Sequence, residues 1–476
     1  MFVDQFSLSW LAVAHTIAAL TVTIHVLMRR SDVRSSIAWI GLSWLSPFLG
    51  SAIYFAFGVN RVARRASRIG LTTPGGEKGL ATQKAIEVLG EDASEGILSL
   101  ARTGDSLSGL QLVPGNDLTL YKNGDAAYPA MLEAIAGAEN SIAFLSYIFR
   151  DDEAGRQFAD ALIVAQSRGV NVKVLVDGIG SGYLFSPITD RLRRGGVDVQ
   201  RFLHEWLPWS MPFINLRNHK KLLVIDGKVG FTGGMNISAE NFSHKGQLAV
   251  QDVHAKVLGP VVGQLMMSFA EDWAFTSGER LLGEAWWPVL EPAGDVIMRG
   301  ISSGPDESLG SIEMILAGAI EQATQRVRIV TPYFLPEDRL FETLRRAALR
   351  GVAVDIVVPA ESNHFYFGWA MMAHLSSFPL DGINCHLSAQ PFDHSKLVSV
   401  DGAWAGLGSV NWDARSMRLN FEFLLECYGD PAVSEIDRLI DEKIVRSTRL
   451  MRSMLADRPV LVKLRDASMR LMLPYL

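Results

Sequence analysis

Two cysteines in 476 residues, Cys385 and Cys427, are too few for a disulfide framework and stand at no zinc-binding spacing, so both are read as packing residues. A basic excess is missing too. The formal net charge is −6, which weighs against a protein whose main partner is nucleic acid. The first five residues carry no basic side chain, and Arg29-Arg30 follows the first apolar run directly, so that run lacks the layout of a cleaved signal peptide. Charge itself is absent from residues 6–28 and again from residues 35–60, each long enough for a helix that crosses a bilayer. Hydrophobic residues make up 48% of the chain and the mean hydropathy is +0.17, high for a protein that lives wholly in water.

Where charge returns, it is arginine. Arg29, Arg30 and Arg34 lie between the two uncharged runs, and Arg61, Arg64, Arg65 and Arg68 follow the second. A simple hairpin would set these clusters on opposite sides of a bilayer, against the tendency of basic residues to stay on one side. A second run that is re-entrant or tilted, interrupted at Ser46-Pro47 and Gly50, relieves the conflict, and the larger cluster then marks the cytoplasmic side together with the catalytic part. Residues 1–60 are therefore expected to be a membrane anchor of two apolar helices in the cell membrane. Residues 61–110, richer in Gly, Ser, Thr and charge, as in 72–79, are expected to be a linker with a short helical patch at 81–89.

The rest of the chain is organised around one stretch that occurs twice. Asn218-His219-Lys220-Lys221 runs into Leu222-Leu223-Val224-Ile225-Asp226-Gly227, and Asp393-His394-Ser395-Lys396 into Leu397-Val398-Ser399-Val400-Asp401-Gly402. Both read His-x-Lys, four residues, then Asp. The apolar run predicts a buried strand, in which residues two apart share a face, so His219 and Lys221 should point one way, as should His394 and Lys396. Each copy then continues to a glycine turn that presents an Asn: Gly233-Gly234-Met235-Asn236 and Gly408-Ser409-Val410-Asn411. The repetition extends upstream. Ser141-Ile142-Ala143-Phe144-Leu145-Ser146 is answered by Arg326-Val327-Arg328-Ile329-Val330-Thr331, and Arg168-Gly169-Val170 by Arg350-Gly351-Val352. Alternating helical and β-rich segments in each half predict an α/β fold of two halves, 111–290 and 291–476, related by a pseudo-twofold axis that brings both histidines to one cleft.

An imidazole beside an ammonium suits a phosphate. A neutral imidazole can attack phosphorus while a protonated one delivers a proton to the departing alcohol, so a phosphodiester site needs two histidines in different protonation states. Lys221 and Lys396 would hold the non-bridging oxygens, and Asn236 and Asn411 would add amide donors from turns shaped by Gly233, Gly234 and Ser409. No metal and no cofactor is required by this scheme. Asp226 and Asp401 complete the two catalytic sets, yet they stand an odd number of residues from their histidines, which in an unbroken strand turns them away and favours a structural role. Asp252 and Glu422, a short way past the two motifs, are further acidic candidates for orienting an imidazole. Aromatic stretches at 202–214 and 364–372 and the apolar, Arg-dotted tail 464–474 suit either a membrane interface or ordinary packing.

The paired His-x-Lys-x4-Asp motifs resemble the phospholipase D superfamily, whose two such motifs supply one shared active site. The resemblance narrows with the two N-terminal apolar runs, Gly233-Gly234-Met235-Asn236-Ile237, Asp252-Val253-His254 with Gly259-Pro260, and Asn411-Trp412-Asp413-Ala414-Arg415-Ser416 with Asn420-Phe421-Glu422. Together these are similar to the bacterial cardiolipin synthases of that superfamily over nearly the whole chain, with Gly234 where the superfamily more usually has Ser. The resemblance implies two phospholipase D-type α/β sandwich halves sharing one site. It implies a phosphatidyl group moved from one phosphatidylglycerol to another, giving cardiolipin and glycerol through a phosphohistidine, with His219 as nucleophile and His394 as acid and then base. It also implies an acidic partner for a catalytic histidine, carried more firmly to Glu422 than to Asp252. The implied partners are phospholipid and membrane, not nucleic acid; oligomeric state is not legible. A sister transferase or hydrolase with phosphatidylethanolamine or water as acceptor, and a phosphodiesterase or nuclease, are the alternatives.

Overall fold

The computed structural model describes residues 2–29, 33–55, 80–90, 93–204, 216–305, 308–378 and 380–471. The arginine cluster at 61–68, Arg30, the segment 72–79, most of the aromatic stretch 202–214 and the tail beyond residue 471 lie outside the described residues. The chain divides into two units: Met1–Ser67 with Glu205–Leu216, and Arg68–His204 with Arg217–Leu476.

The first unit holds α1 (Phe2–Arg29), α2 (Val33–Leu45) and α3 (Leu49–Ile53). Within α1, Trp10–Met28 is long and apolar enough to cross a membrane. The second apolar run does not form a helix of that length among the described residues. Its helix α2 ends at Leu45, ahead of Pro47, which has no N–H to continue the ladder, and the backbone turns through Phe48 before α3 begins. Gly50 permits the turn, because a Cβ there would lie 2.1 Å from the carbonyl oxygen of Leu42. Val22, Val26 and Tyr54 pack with Trp39 and Ile40 as the small core of this unit.

The second unit is built on one long sheet. The first half contributes β1 (Val113–Lys122), β2 (Ser141–Ser146), β3 (Asn171–Asp177), β4 (Asp198–Phe202), β5 (Leu222–Ile225), β6 (Val229–Gly233) and β7 (Val253–Leu258). The second contributes β8 (Val296–Ser303), β9 (Arg326–Val330), β10 (Ala353–Pro359), β11 (Ile383–Ser388), β12 (Leu397–Val400), β13 (Trp404–Gly408) and β14 (Asn420–Tyr428). Their spatial order is β4-β3-β2-β5-β6-β7-β1, then β8-β14-β13-β12-β9-β10-β11, with Ser447–Arg449 at the far edge. The second list is the first reversed, strand for equivalent strand. β2, β3 and β4 run parallel, as do β9, β10 and β11, and the halves join where β1 and β8 pair antiparallel. β2 and β9 sit inside their halves; β2 is largely apolar, as a strand covered on both faces requires, and in β9 the buried Arg328 is paired with Asp437.

Helices α4 (Asn123–Ala136), α5 (Glu153–Ser167), α6 (Pro187–Arg194) and α7 (Val262–Ser277) belong to the first half, and α8 (Ser311–Gln322), α9 (Asp338–Leu349), α10 (Phe365–Ser377) and α11 (Ala432–Val445) to the second; α12 (Val460–Arg470) packs on α10. α5 shows how the sequence fixes them: Asp152 caps its N-terminus by accepting the Gly155 N–H, and Ala154, Phe158, Ala159, Leu162 and Ala165 form one buried stripe. The segment expected as a linker folds into the second half. Helices Leu80–Leu89 and Glu95–Ser108 send Ala85, Ile97, Leu100 and Ala101 into its core, and Asp105 accepts a 2.6 Å hydrogen bond from the buried guanidinium of Arg299, which also meets buried Glu426.

Candidate active site

Each histidine arrives on a segment that crosses to the other half. Ahead of β5 the short strand Arg217–Asn218 pairs with Asn420–Phe421 at the start of β14, and the His219 N–H donates to the Phe421 carbonyl at 2.8 Å. Ahead of β12 the short strand Phe392–Asp393 pairs with Val250–Gln251, and the His394 N–H donates to the Gln251 carbonyl at 2.7 Å. Buried charges pin both crossings from below: Lys220 lies 2.9 Å from Asp272 of α7, and Asp393 accepts from Lys443 of α11. Ladder bonds therefore hold each histidine backbone against the opposite half, while the paired charges tie each crossing segment to a helix of its own half.

The strand alternation expected of His-x-Lys does not apply, since β5 and β12 begin at Leu222 and Leu397, after the lysines. The lysines are held differently. Lys221 Nζ donates to the carbonyl oxygen of its own neighbour His219 at 2.6 Å, and Lys396 Nζ does the same to His394 while lying 2.9 Å from its Nδ1.

The carboxylates are exchanged between halves. His219 Nδ1 is 3.0 Å from both oxygens of Glu422, and His394 Nδ1 is 2.8 Å from Asp252 Oδ2. The two glycine turns differ to suit them. The Ser409 hydroxyl donates to Glu422, whereas a Cβ at Gly234 would stand 2.3 Å from Asp252 Oδ1, so no side chain fits there. Gly233 allows a similar approach: a Cβ would lie 2.7 Å from the carbonyl oxygen of Val253.

His219 and His394 line the same cavity, of about 640 Å³, together with Asn236 and Asn411. Tyr147 meets the His219 ring edge-on at 4.8 Å and Tyr333 the His394 ring at 6.4 Å. Burial, assisted by the neighbouring lysines, pushes both imidazoles down to about 4, against the pull of their carboxylates. Burial also pushes Lys221 down to about 7 and Lys396 to about 8. Burial opposes the charge on Glu422, but His219 and Lys221 outweigh it and hold that carboxyl below its usual range. The resting cleft thus presents two neutral imidazoles, each with Nδ1 engaged and Nε2 left for chemistry. A bound anion would favour the charged forms of both lysines and of one imidazole.

Asp226 and Asp401 do not join this cluster. Each sits with Gly227 or Gly402 in a tight turn, φ 52° and 54° at the aspartates and 64° and 69° at the glycines, as the hairpins β5–β6 and β12–β13 require. Asp226 accepts the N–H groups of Glu139, Asn140 and Ser141 at 2.6–3.0 Å, and Asp401 those of Thr324, Gln325 and Arg326 at 2.7–2.9 Å. They bind the loops that lead into β2 and β9. Sequence reasoning missed the cavity-lining Tyr147, Tyr333, Arg217, Arg415 and Asp413 as site residues. A signal was available for Arg217, two positions before His219, and for Arg415, four after Asn411.

Comparison with known proteins shows the family. Residues 131–273 and 316–444, more than half of the chain, match the family described as "Cardiolipin synthase, PLD-like domain", and residues 17–58 match "Phospholipase_D-nuclease N-terminal". The chain is 31% identical to a protein named cardiolipin synthase from Oceanobacillus iheyensis, covering 96% of this chain and 97% of that one. It is 32% identical to one named cardiolipin synthase A from Pseudomonas fluorescens, covering 90% of each. The fold is shared with the crystal structure of phosphatidylserine synthase from Haemophilus influenzae, at a TM-score of 0.58 and 16% identity over 79% of this chain and 100% of that chain.

Proposed function

The chain belongs to the cardiolipin synthase family of PLD-like proteins, and from that premise we propose how it works as a phosphatidyltransferase that makes cardiolipin from phospholipid. The donor and the acceptor are both phosphatidylglycerol. The observation that carries the reading is the cavity lined by both His219 and His394, each backed by a carboxylate from the opposite half.

Glu422 keeps a proton on Nδ1 of His219, so Nε2 offers its lone pair to phosphorus. As the Nε2–P bond forms, the P–O bond to glycerol breaks and the electron pair leaves on that oxygen, which takes a proton from His394. The second phosphatidylglycerol then gives its hydroxyl proton to His394, its oxygen bonds to phosphorus, and the P–N bond breaks to restore His219. One phosphodiester replaces another, which leaves no net energy input to supply. His394 must be protonated for the first step. The negative charge of the entering phosphodiester, set between imidazoles and lysines, raises its pKa from about 4. Lys221 and Lys396, charged once the anion is bound, and the amides of Asn236 and Asn411 stabilise the five-coordinate transition state. Asp226 and Asp401 act as loop clamps.

α1 anchors the protein in the cytoplasmic membrane, with the catalytic unit on the cytoplasmic side. The support is the arginine cluster after the second apolar run. The exposed Leu461 and Leu464 of α12, with Leu471 just past its end, suit contact with a lipid surface.

The test is to incubate purified full-length protein with phosphatidylglycerol in mixed micelles, with no added metal or nucleotide, and to analyse the lipids and free glycerol. Cardiolipin and glycerol in equal amounts are expected. Phosphatidic acid alone would identify a hydrolase, and turnover only when phosphatidylethanolamine is added would identify a sister transferase.

A further inference from the structure

The two halves share one strand order, yet three pairs of equivalent positions that line the cavity differ in charge or polarity. Arg217 and Phe392 stand two residues before His219 and His394. Asn420 and Val250 are their partners in the two crossing pairings. Arg415 and Glu240 each follow the motif Asn by four residues. All six line the cavity. One wall is therefore Arg217, Asn420 and Arg415, and its counterpart is Phe392, Val250 and Glu240, the last engaged by Arg150 at 3.4 Å. A site for one phosphodiester already has Lys221 and Lys396, so the added guanidiniums exceed what the donor phosphate needs.

Transfer between two anionic lipids demands more. Two phosphates must enter one cavity, and they repel each other more strongly in a partly dehydrated space than in water unless that is offset. Resting on the phosphatidyltransferase reading above, we propose that Arg217 and Arg415, with Asn420, hold the phosphodiester of the acceptor lipid while the histidines and lysines hold that of the donor. Guanidinium forks suit this task, since they grip phosphate oxygens in pairs. Burial and the nearby Arg217 push the Arg415 guanidinium down, against the pull of Asp413 and Asp177, and burial in turn raises both of those carboxyls, Asp413 to about 7. Water and free glycerol carry no such phosphate and would gain nothing from this wall. That difference selects a phosphatidylglycerol acceptor.

The experiment compares two acceptors on the full-length protein in mixed micelles. One is phosphatidylglycerol itself, read as cardiolipin; the other is radiolabelled free glycerol, read as label exchanged into phosphatidylglycerol. Exchange uses the same donor and the same phosphohistidine but a phosphate-free acceptor. Arg415→Gln and Arg217→Gln are expected to lower cardiolipin formation by about tenfold to a hundredfold, the size of a lost charge-assisted hydrogen bond, and to lower exchange far less. Arg415→Lys should recover part of the loss. Equal loss of both activities would overturn the proposal, because the arginines would then serve the donor or the fold. So would retention of cardiolipin formation. A wild-type protein that exchanges glycerol but makes no cardiolipin would instead overturn the functional reading itself, before any variant is compared.

Discussion

His219 and Glu422 lie 203 positions apart in the chain and 3.0 Å apart in space, and His394 reaches across in the same way to Asp252. Each half therefore brings an imidazole and borrows a carboxylate. Glu422→Gln keeps the shape but removes the charge that holds the tautomer and steadies the phosphohistidine. It is expected to lower kcat by about two to four orders of magnitude with KM little changed. Asp252→Asn should act similarly through His394. Steady-state kinetics, with circular dichroism to verify folding, decide the matter; activity within about threefold of wild type in either variant would mean that the exchanged carboxylates are idle.

The glycine turns give a paired prediction. Gly234→Ala forces a methyl group against the Asp252 carboxylate, which has to leave His394, so kcat should fall by at least about tenfold. Ser409→Gly removes the hydroxyl that donates to Glu422 and accepts the Phe423 N–H, but the bond of Glu422 to His219 remains, and a loss of about threefold to tenfold is expected. The reverse ranking would mean that the turns do not act through the carboxylates.

The pH dependence follows from the burial of the ammonium groups. Lys221 and Lys396 are lowered from the ordinary lysine value to about 7 and about 8, so in the free enzyme their charge is lost as pH rises through that range, and kcat/KM should decline there. Both imidazoles, at about 4, are neutral at pH 7, so binding of an anionic phosphodiester should take up protons. Calorimetry of a non-cleavable phosphonate analogue in buffers of different ionisation enthalpy measures the uptake. Binding without proton uptake at pH 7 would contradict the resting charge state.

Asp401 should reveal itself in stability. Burial works against its charge, but the N–H groups of Arg326, Thr324 and Gln325 outweigh it and hold the carboxyl below its unfolded value of 3.8. Its contribution is thus fully present above that value and is lost as pH falls through the depressed folded value. Asp401→Ala is expected to cost about 1–3 kcal/mol in urea denaturation at pH 7. The difference from wild type should shrink below about pH 3.8. Residual turnover at low temperature in this variant, against none in His394→Ala, would separate a clamp from a catalyst.

The repeated His-x-Lys-x4-Asp spacing made the duplication legible, and with it the α/β halves and the paired histidines. Three other features were not. Asp226-Gly227 and Asp401-Gly402 carry the composition of a tight hairpin turn, yet their place at the end of an apolar run invites reading them as strand residues. The partnership of each carboxylate with the histidine of the other half depends on Arg217–Asn218 and Phe392–Asp393 crossing over, and pairings two residues long leave no periodicity. The segment before β1 looks like a linker by composition, while Ile97, Leu100 and Ala101 form a helical stripe whose meaning emerges only once the second half's core is there to receive it.

The seam between β1 and β8 has a consequence for a severed chain. A nick in the exposed connection near Glu291 would leave two fragments, one owning His219 and Asp252, the other His394 and Glu422, so neither fragment could complete even a single dyad from its own residues. Whatever turnover survived such a cut would measure how firmly the seam keeps the pieces together, and dilution would abolish it in both at once.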